Sequence, residues 1–129
     1  EIAKIGLPEA IYSTPWTVDW NHRPVPHKEG QTQMPPGLKD HRFPKEFWIQ
    51  PAGGEFIMGI SKYAGSDSDV AWVANHDAYG EQHVKLKINK KCRPALFNRT
   101  AGSYEDMNMA ADTIGFKLEP AGGAIILFR

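Results

Sequence analysis

Histidine and carboxylate residues cluster in the segment NHDAYGEQH, residues 75–83. His76, Asp77, Glu81 and His83 are residue types that bind metal ions. The two histidines lie on either side of a turn, at a spacing that matches no common zinc motif. We therefore interpret the segment as a polar hairpin loop. The alternative is a small metal-dependent enzyme that uses His76 and His83.

Two aspartates, Asp67 and Asp69, flank Ser68 in the loop-forming segment GSDSDV. Carboxylates in alternate positions of a loop are typical of calcium sites, but such sites use more ligands than two. No third carboxylate stands in the segment. The pattern favours an ordinary loop, with a structural calcium ion on Asp67 and Asp69 as the alternative. We expect no other cofactor.

The sequence shows no recognisable catalytic constellation. Glu105 and Asp106 are adjacent, whereas a glycosidase holds its two carboxyl groups several ångströms apart across a bound sugar. No G-x-S-x-G elbow for a serine nucleophile occurs. Cys92 stands between Lys91 and Arg93, whose charges favour a thiolate, but a lone strand cysteine is more typical of packing. We predict that this chain is not an enzyme.

Aromatic residues indicate binding instead. In the segment EFWIQ, alternation places Phe47 and Ile49 on one strand face and Trp48 and Gln50 on the other. An indole beside an amide suits a pyranose ring, whose CH groups pack on the aromatic face while its hydroxyls take hydrogen bonds. Tyr79, in the 75–81 loop, is the best candidate for an exposed ring. Packing of Trp48 under the Pro15–Pro44 loop is the alternative.

A proline-rich stretch from Pro15 to Pro44 contains Trp16 and Trp20. Proline removes backbone donors, so this stretch is not central sheet. Tryptophan is rare in disordered linkers, and long loops in compact domains are usually functional or packed. We interpret the stretch as a recognition surface for a ligand or a neighbouring domain. The alternative is a loop that the two tryptophans pin to the domain.

The elements that must position these residues are strands. In VKLKI, residues 84–88, apolar and lysine residues alternate, which predicts a half-buried antiparallel strand, and GFKLEP repeats the pattern. In VAWVAN, Trp72 alternates with Val70 and Ala74, which predicts a core position. Turn signals recur every 8–12 residues or so. They predict one all-β domain over residues 1–129, an antiparallel sandwich of about seven or eight strands, with one helical turn within 103–112.

The motif Pro-Ala-Gly-Gly occurs twice, in IQPAGGEFIMG and in LEPAGGAIILF. A phosphate-binding loop would need a helix after the glycines, and the apolar runs that follow are too short for one. Proline and glycine favour tight turns. We therefore predict two hairpins rather than two anion sites.

Composition excludes several classes of function. Fifteen basic and fifteen acidic residues cancel, so charge does not favour nucleic acid or an anionic membrane as a partner. No apolar run approaches the ~20 residues of a membrane helix. The single cysteine excludes an internal disulfide. The chain begins at Glu1, and we expect it to be an excised part of a longer protein.

Three segments carry a resemblance to a known class of domain: EIAKIGLPEAIYSTPW, FIMGISKYAGSDSDVAWVANHDAYGEQHVKLKI and FKLEPAGGAIILFR. Their succession of strands and turns resembles the β-sandwich that follows the catalytic barrel in many bacterial glycoside hydrolases. The resemblance covers about two-thirds of the chain and includes no catalytic signature. The Pro15–Pro44 stretch departs from the usual short connection.

The resemblance implies a non-catalytic accessory module of a secreted or cell-surface, bacterial, polysaccharide-degrading enzyme. Its expected partners are a polysaccharide or oligosaccharide and the catalytic domain of the same parent chain. The expected sugar-binding residues are Trp16, Trp20, Trp48, Gln50 and Tyr79. The alternative is a scaffold that covers the barrel and binds no sugar.

Overall fold

Two antiparallel β-sheets form the part of the chain that can be described. The computed structural model describes residues 1–6, 10–13, 43–75 and 77–129, with only the backbone of Ile2 and of residues 10–13. A short 3-10 turn, Ile2–Lys4, comes first. The strands are β1 Ala10–Ser13, β2 Ile49–Gly53, β3 Ile57–Lys62, β4 Asp69–Ala74, β5 Gln82–Ile88, β6 Pro94–Asn98, β7 Ser103–Asp106, β8 Thr113–Leu118 and β9 Gly123–Phe128.

The strands divide unequally between the sheets. The large sheet has six strands in the order β1-β3-β4-β9-β6-β7, and the small sheet has three in the order β2-β5-β8. Every strand pair is antiparallel. The predicted all-β antiparallel sandwich is therefore confirmed. The described residues contain nine strands, where the sequence predicted about seven or eight.

Alternation of apolar and polar residues fixes which face of each small-sheet strand enters the core. In β5, Val84, Leu86 and Ile88 are buried while Lys85 and Lys87 are exposed, as predicted. The facing large-sheet strands contribute side chains of the same kind. The buried core comprises Phe43, Ile49, Phe56, Met58, Ile60, Ala71, Val73, Val84, Leu86, Ile88, Ile114, Leu118, Ile126 and Phe128.

The two Pro-Ala-Gly-Gly motifs connect the sheets and do not form hairpins. Three residues of the first motif, Pro51 to Gly53, form the end of β2 in the small sheet, and Gly54 leads from there to β3 in the large sheet. The second motif leads from β8 to β9, again in different sheets, and its last glycine begins β9. Their backbones also differ, because the positive φ falls on Gly54 in the first motif and on Ala121 in the second. The prediction of two hairpins is wrong. Pro and Gly signal a turn but do not specify which strands it joins.

The segment predicted to contain a helical turn is partly strand. Residues Ser103–Asp106 form β7, which pairs with β6 through four residue pairs, among them Phe97 with Tyr104. An isolated helical turn fixes several residues for one hydrogen bond. The ladder with β6 provides more backbone bonds for the same residues. No α-helix occurs in the part of the chain that the structure describes.

The outer face of the large sheet, which points away from the small sheet, is itself partly covered. Tyr63 and Tyr104 donate hydrogen bonds to one carboxylate oxygen of Glu1, at 2.8 and 2.5 Å. Their rings lie 6.3 Å apart. Burial, together with the hydrogen bond to Glu1, raises the pKa of Tyr104. The side-chain carboxylate of Glu1 thus links Tyr63, which follows β3, to Tyr104 in the edge strand β7.

A row of small and aliphatic residues lies on this same outer face. Ser61, Val70 and Leu127 are register partners on β3, β4 and β9, and Ala95 continues the row on β6. All four are buried. The large sheet is therefore buried on both faces along this row, unlike the small sheet.

Candidate functional site

Trp72 lies on the outer face of the large sheet, not in the core. The side chains of its neighbours Ala71 and Val73 belong to the core cluster, so alternation directs Trp72 to the opposite face. It remains half-buried there. The prediction of a core position for Trp72 is wrong. Strand β4 is apolar on both faces, and alternation alone does not show which face turns inward.

A glycine in the neighbouring strand positions the Trp72 indole. Gly59 of β3 is the register partner of Trp72. A Cβ atom added to Gly59 would lie 2.0 Å from Cζ2, 2.1 Å from Cε2 and 2.6 Å from Nε1 of Trp72. These three distances place a face of the indole against the Gly59 backbone. No side chain larger than hydrogen fits beneath the ring, so glycine is needed for this packing.

A groove of about 410 Å³ adjoins Trp72. This volume lies within the range of small-ligand sites. Its lining is mostly apolar and includes Ile5, Gly6, Trp72, Val73, Ala74, Gly123, Ala124 and Ile125. Arg99 is the charged residue that lines the groove, and no carboxylate side chain does so among the described residues.

Hydrogen bonds hold Arg99 at the rim of this groove. Its Nη2 donates to the carbonyl of Gly123 at 3.2 Å. The turn that contains Arg99 is fixed by Asn98, whose Oδ1 accepts hydrogen bonds from the backbone N–H groups of Thr100 and Ala101 at 2.9 and 3.1 Å. Arg99 is exposed and forms no ion pair with any residue in the described ranges. The groove thus combines an aromatic wall with a guanidinium group at its edge.

Intramolecular contacts engage both Trp48 and Gln50. The Trp48 ring packs edge-on against Phe128 with centroids 5.0 Å apart, and the Lys90 ammonium lies 4.0 Å from the Trp48 centroid. The Gln50 amide donates to the carbonyls of Pro44 and Phe47 at 2.7 and 3.0 Å. Trp48 thus has packing partners at the end of β9, and Gln50 holds the turn that precedes β2. Most of the Pro15–Pro44 loop, under which Trp48 was alternatively expected to pack, lies outside the described residues.

Tyr79 is strongly exposed, at 74% of its surface, as the sequence suggested. Asp77 Oδ1 accepts hydrogen bonds from the backbone N–H groups of Tyr79 and Gly80 at 2.8 and 3.0 Å. The Asn75 amide donates to the carbonyls of Gly80 and Glu119 at 2.8 and 3.1 Å. The loop is therefore held to the turn before β9, and its aromatic ring is presented on an ordered backbone.

The structure separates the predicted sugar-binding residues. Trp48 packs against Phe128 at one end of β9, whereas the Tyr79 loop is attached beside the other end of that strand. A six-residue strand spans ~17 Å at 3.3 Å per residue. Trp16 and Trp20 lie outside the described residues. Trp48 and Tyr79 accordingly do not form one site.

Asp69 is the centre of an ion-pair cluster. Its buried carboxylate lies 2.8 Å from the Lys62 ammonium and also contacts Lys90. Burial by itself would raise the pKa of Asp69, but the hydrogen bonds from Lys62 and Lys90 outweigh it and lower the pKa. Asp67 presents its carbonyl, rather than its carboxylate, to Lys62 at 3.2 Å. Two ammonium groups therefore occupy the position where the calcium alternative would place a cation.

The histidine cluster is described only in part. His76 lies outside the described residues. His83 is exposed, and its Nε2 lies 3.2 Å from a Glu81 carboxylate oxygen. Lys117 also pairs with Glu81, at 3.4 Å, and its charge lowers the pKa of that carboxyl. Within the described ranges, no group of three or more His, Cys, Asp and Glu residues is arranged to hold a metal ion.

Sequence reasoning missed Gly59 and Arg99 and misplaced Trp72. The sequence feature that could have indicated this packing was the single glycine, Gly59, inside the apolar segment FIMGIS. A glycine in a strand interior often marks the close approach of another group. The pairing of that strand with β4 is non-local information, and without it the approaching group was not identifiable.

Comparisons with protein-family models, with curated proteins and with solved structures find no match to this chain. In the part of the chain that the structure describes, no helix is long and apolar enough to cross a membrane.

Proposed function

We propose that this domain is a non-catalytic carbohydrate-binding module of a secreted, bacterial, polysaccharide-degrading enzyme. The sugar binds in the groove beside Trp72. The observation that supports this proposal best is the orientation of the indole. One of its faces lies on the Gly59 backbone, so the ring is held in a fixed orientation beside a groove on the sheet surface.

Such a surface suits a pyranose for physical reasons. The axial CH groups of the sugar pack on an aromatic face, and the aliphatic side chains of Ile5 and Ile125 extend the apolar contact. Preorganisation by Gly59 removes the cost of ordering a mobile tryptophan upon binding. Tyr79, exposed on an ordered loop, provides a second aromatic surface for a longer chain.

Retention in polysaccharide affinity gels tests this function. Wild-type protein should be retained by at least one neutral or acidic plant or bacterial polysaccharide. The Trp72→Ala variant should lose retention by ~10-fold or more, the equivalent of a stacking contact of around 1.5 kcal/mol. Trp48→Ala is the matched control. It removes an indole that packs on Phe128 and should lower stability while its folded fraction still binds.

Two results would contradict the proposal: no retention of the wild-type chain by any polysaccharide, or equal retention of wild type and Trp72→Ala. The first result would favour the scaffold role, in which the apolar groove packs against a catalytic domain. Metal-dependent turnover that disappears in a His83→Ala variant would instead favour the small-enzyme alternative.

A further inference from the structure

We propose that the groove beside Trp72 recognises sugars that carry a carboxylate, that is, uronic acid residues, and that Arg99 binds the carboxylate. This inference rests on the proposed carbohydrate-binding function and goes further by naming the ligand class. It depends on features of Arg99 and its surroundings that a neutral sugar site would not require.

The first feature is the unused bonding capacity of Arg99. A guanidinium group has five N–H donors, and the structure shows one hydrogen bond from this one, to Gly123. Several other cations in the described residues pair with carboxylates, such as Lys87 with Asp112, and Arg129 with Asp106. Arg99 has no such partner among them.

The second feature is the charge of the groove as a whole. Its described lining contains one cation and no anion. A carboxylate ligand would therefore meet attraction from Arg99 without repulsion from the lining. Lys117 and Glu119 lie in a neighbouring concavity that Arg99 also borders, but they pair with each other at 3.3 Å. Lys117 and Glu119 therefore each have a partner of opposite charge within the protein, and Lys117 also pairs with Glu81.

The third feature is that the groove combines an apolar aromatic wall, Trp72, with a cation, Arg99. An anion that bound Arg99 alone would need no apolar wall, and a neutral sugar on Trp72 would need no guanidinium. A uronic acid has both complementary parts: a CH face for the indole and a planar carboxylate at the ring edge. Guanidinium and carboxylate groups match as a bidentate pair.

A matched control for Arg99 lies at the opposite end of the strand that precedes it, β6. Arg93 and Arg99 flank β6 at opposite ends, and both are exposed. Arg93 does not line the groove beside Trp72. Replacing either arginine with glutamine changes the net charge equally, so any difference between the two variants reports the position of the charge.

Isothermal titration calorimetry with paired ligands tests the inference. Oligomers of galacturonate, glucuronate and mannuronate are each compared with the carboxyl-reduced, neutral form of the same oligomer, and a sulfated neutral oligomer is included. The wild-type protein should bind at least one uronate oligomer ~10-fold or more tightly than its neutral form, which corresponds to about 1.4 kcal/mol. The preference should weaken as salt is raised, because Arg99 is exposed.

The Arg99→Gln variant should bind the acidic and neutral forms equally, while Arg93→Gln should keep the wild-type preference. Three results would overturn the inference. The preference for acidic over neutral oligomers could survive in Arg99→Gln, or it could be lost equally in Arg99→Gln and Arg93→Gln. The third is tighter binding of the sulfated oligomer than of any uronate. Trp72-dependent binding of neutral oligomers without an acidic preference would refute the inference and leave the carbohydrate-binding function standing. Absence of binding to every ligand would refute both.

Discussion

The Gly59→Ala substitution tests how the Trp72 indole is seated. The added Cβ would lie 2.0 Å from Cζ2 of Trp72, whereas carbon atoms in contact prefer about 3.5–4.0 Å. The ring must therefore retreat by about 1.5–2 Å, or the two strands must shift. Overpacking of this kind costs about 1–3 kcal/mol. Replacing a glycine also lowers the conformational entropy of the unfolded chain, which stabilises the folded state by about 0.4–1 kcal/mol.

A double-mutant cycle isolates the clash. In the wild-type background we expect Gly59→Ala to lower the free energy of unfolding by roughly 1–2 kcal/mol. In the Trp72→Ala background the obstructing ring is absent, so the same substitution should be neutral or stabilising by up to about 1 kcal/mol. The coupling between the two sites should then be about 1–3 kcal/mol. Urea unfolding followed by far-ultraviolet circular dichroism measures all four proteins without relying on tryptophan fluorescence.

Gly115→Ala is the matched control for this cycle. Gly115 is an exposed glycine in β8, and a Cβ there would make ordinary contact, 3.7 Å from the Val84 carbonyl oxygen. Its substitution should be neutral or stabilising in both backgrounds. Equal effects of Gly59→Ala with and without Trp72 would refute the seating of the indole on Gly59. The binding proposal would then lose its main structural support.

Three further predictions concern single residues. Asp69→Asn should lower the free energy of unfolding at pH 7 by about 1–3 kcal/mol. Breaking a fully buried ion pair would cost more, but Lys62 and Lys90 are partly exposed to solvent. Folding lowers the pKa of Asp69, so the ionised carboxylate stabilises the fold at pH values above the pKa of the unfolded chain, about 3.9. Below that pH the carboxylate becomes protonated, and the difference in unfolding free energy between wild type and Asp69→Asn should decrease. Ser61→Ala removes a buried hydroxyl that has no partner in the described residues, so urea unfolding should show unchanged or slightly increased stability; a loss above about 1 kcal/mol would reveal a bond to that hydroxyl. Burial raises the pKa of Cys92 despite the opposing charge of Lys90, so its alkylation at pH 7.5 should be slower in native protein than in urea, and equal rates would contradict the burial.

The sequence predicted the fold class because period-two alternation is a local property. Val84, Leu86 and Ile88 had to share one face once the segment was extended, and the structure buries all three. The sheet to which a strand belongs is a non-local property. For this reason the sequence did not show that the two Pro-Ala-Gly-Gly motifs lead from one sheet to the other, or that three residues of the first belong to β2.

The candidate site was harder to predict than the fold. The segment VAWVA is apolar on both faces, so sequence periodicity does not distinguish a core Trp72 from one on the outer face. The deciding contact is with Gly59, a partner that becomes visible only through the β3–β4 register. The exposure of the Tyr79 ring was predictable, because a polar loop with glycine exposes its residues wherever the loop lies.

The position of β9 in the large sheet has a consequence for folding kinetics. β9 pairs with β4 on one side and with β6 on the other, so β1-β3-β4 and β6-β7 are separate ribbons until residues 123–128 are available. During synthesis, the edges of β4 and β6 therefore stay unpaired until nearly the whole domain has been translated. Unpaired strand edges attract other chains, and non-local pairing of this kind slows folding to milliseconds or seconds. We expect insertion of β9 to be the committing step, after which the two ribbons become one cooperative unit.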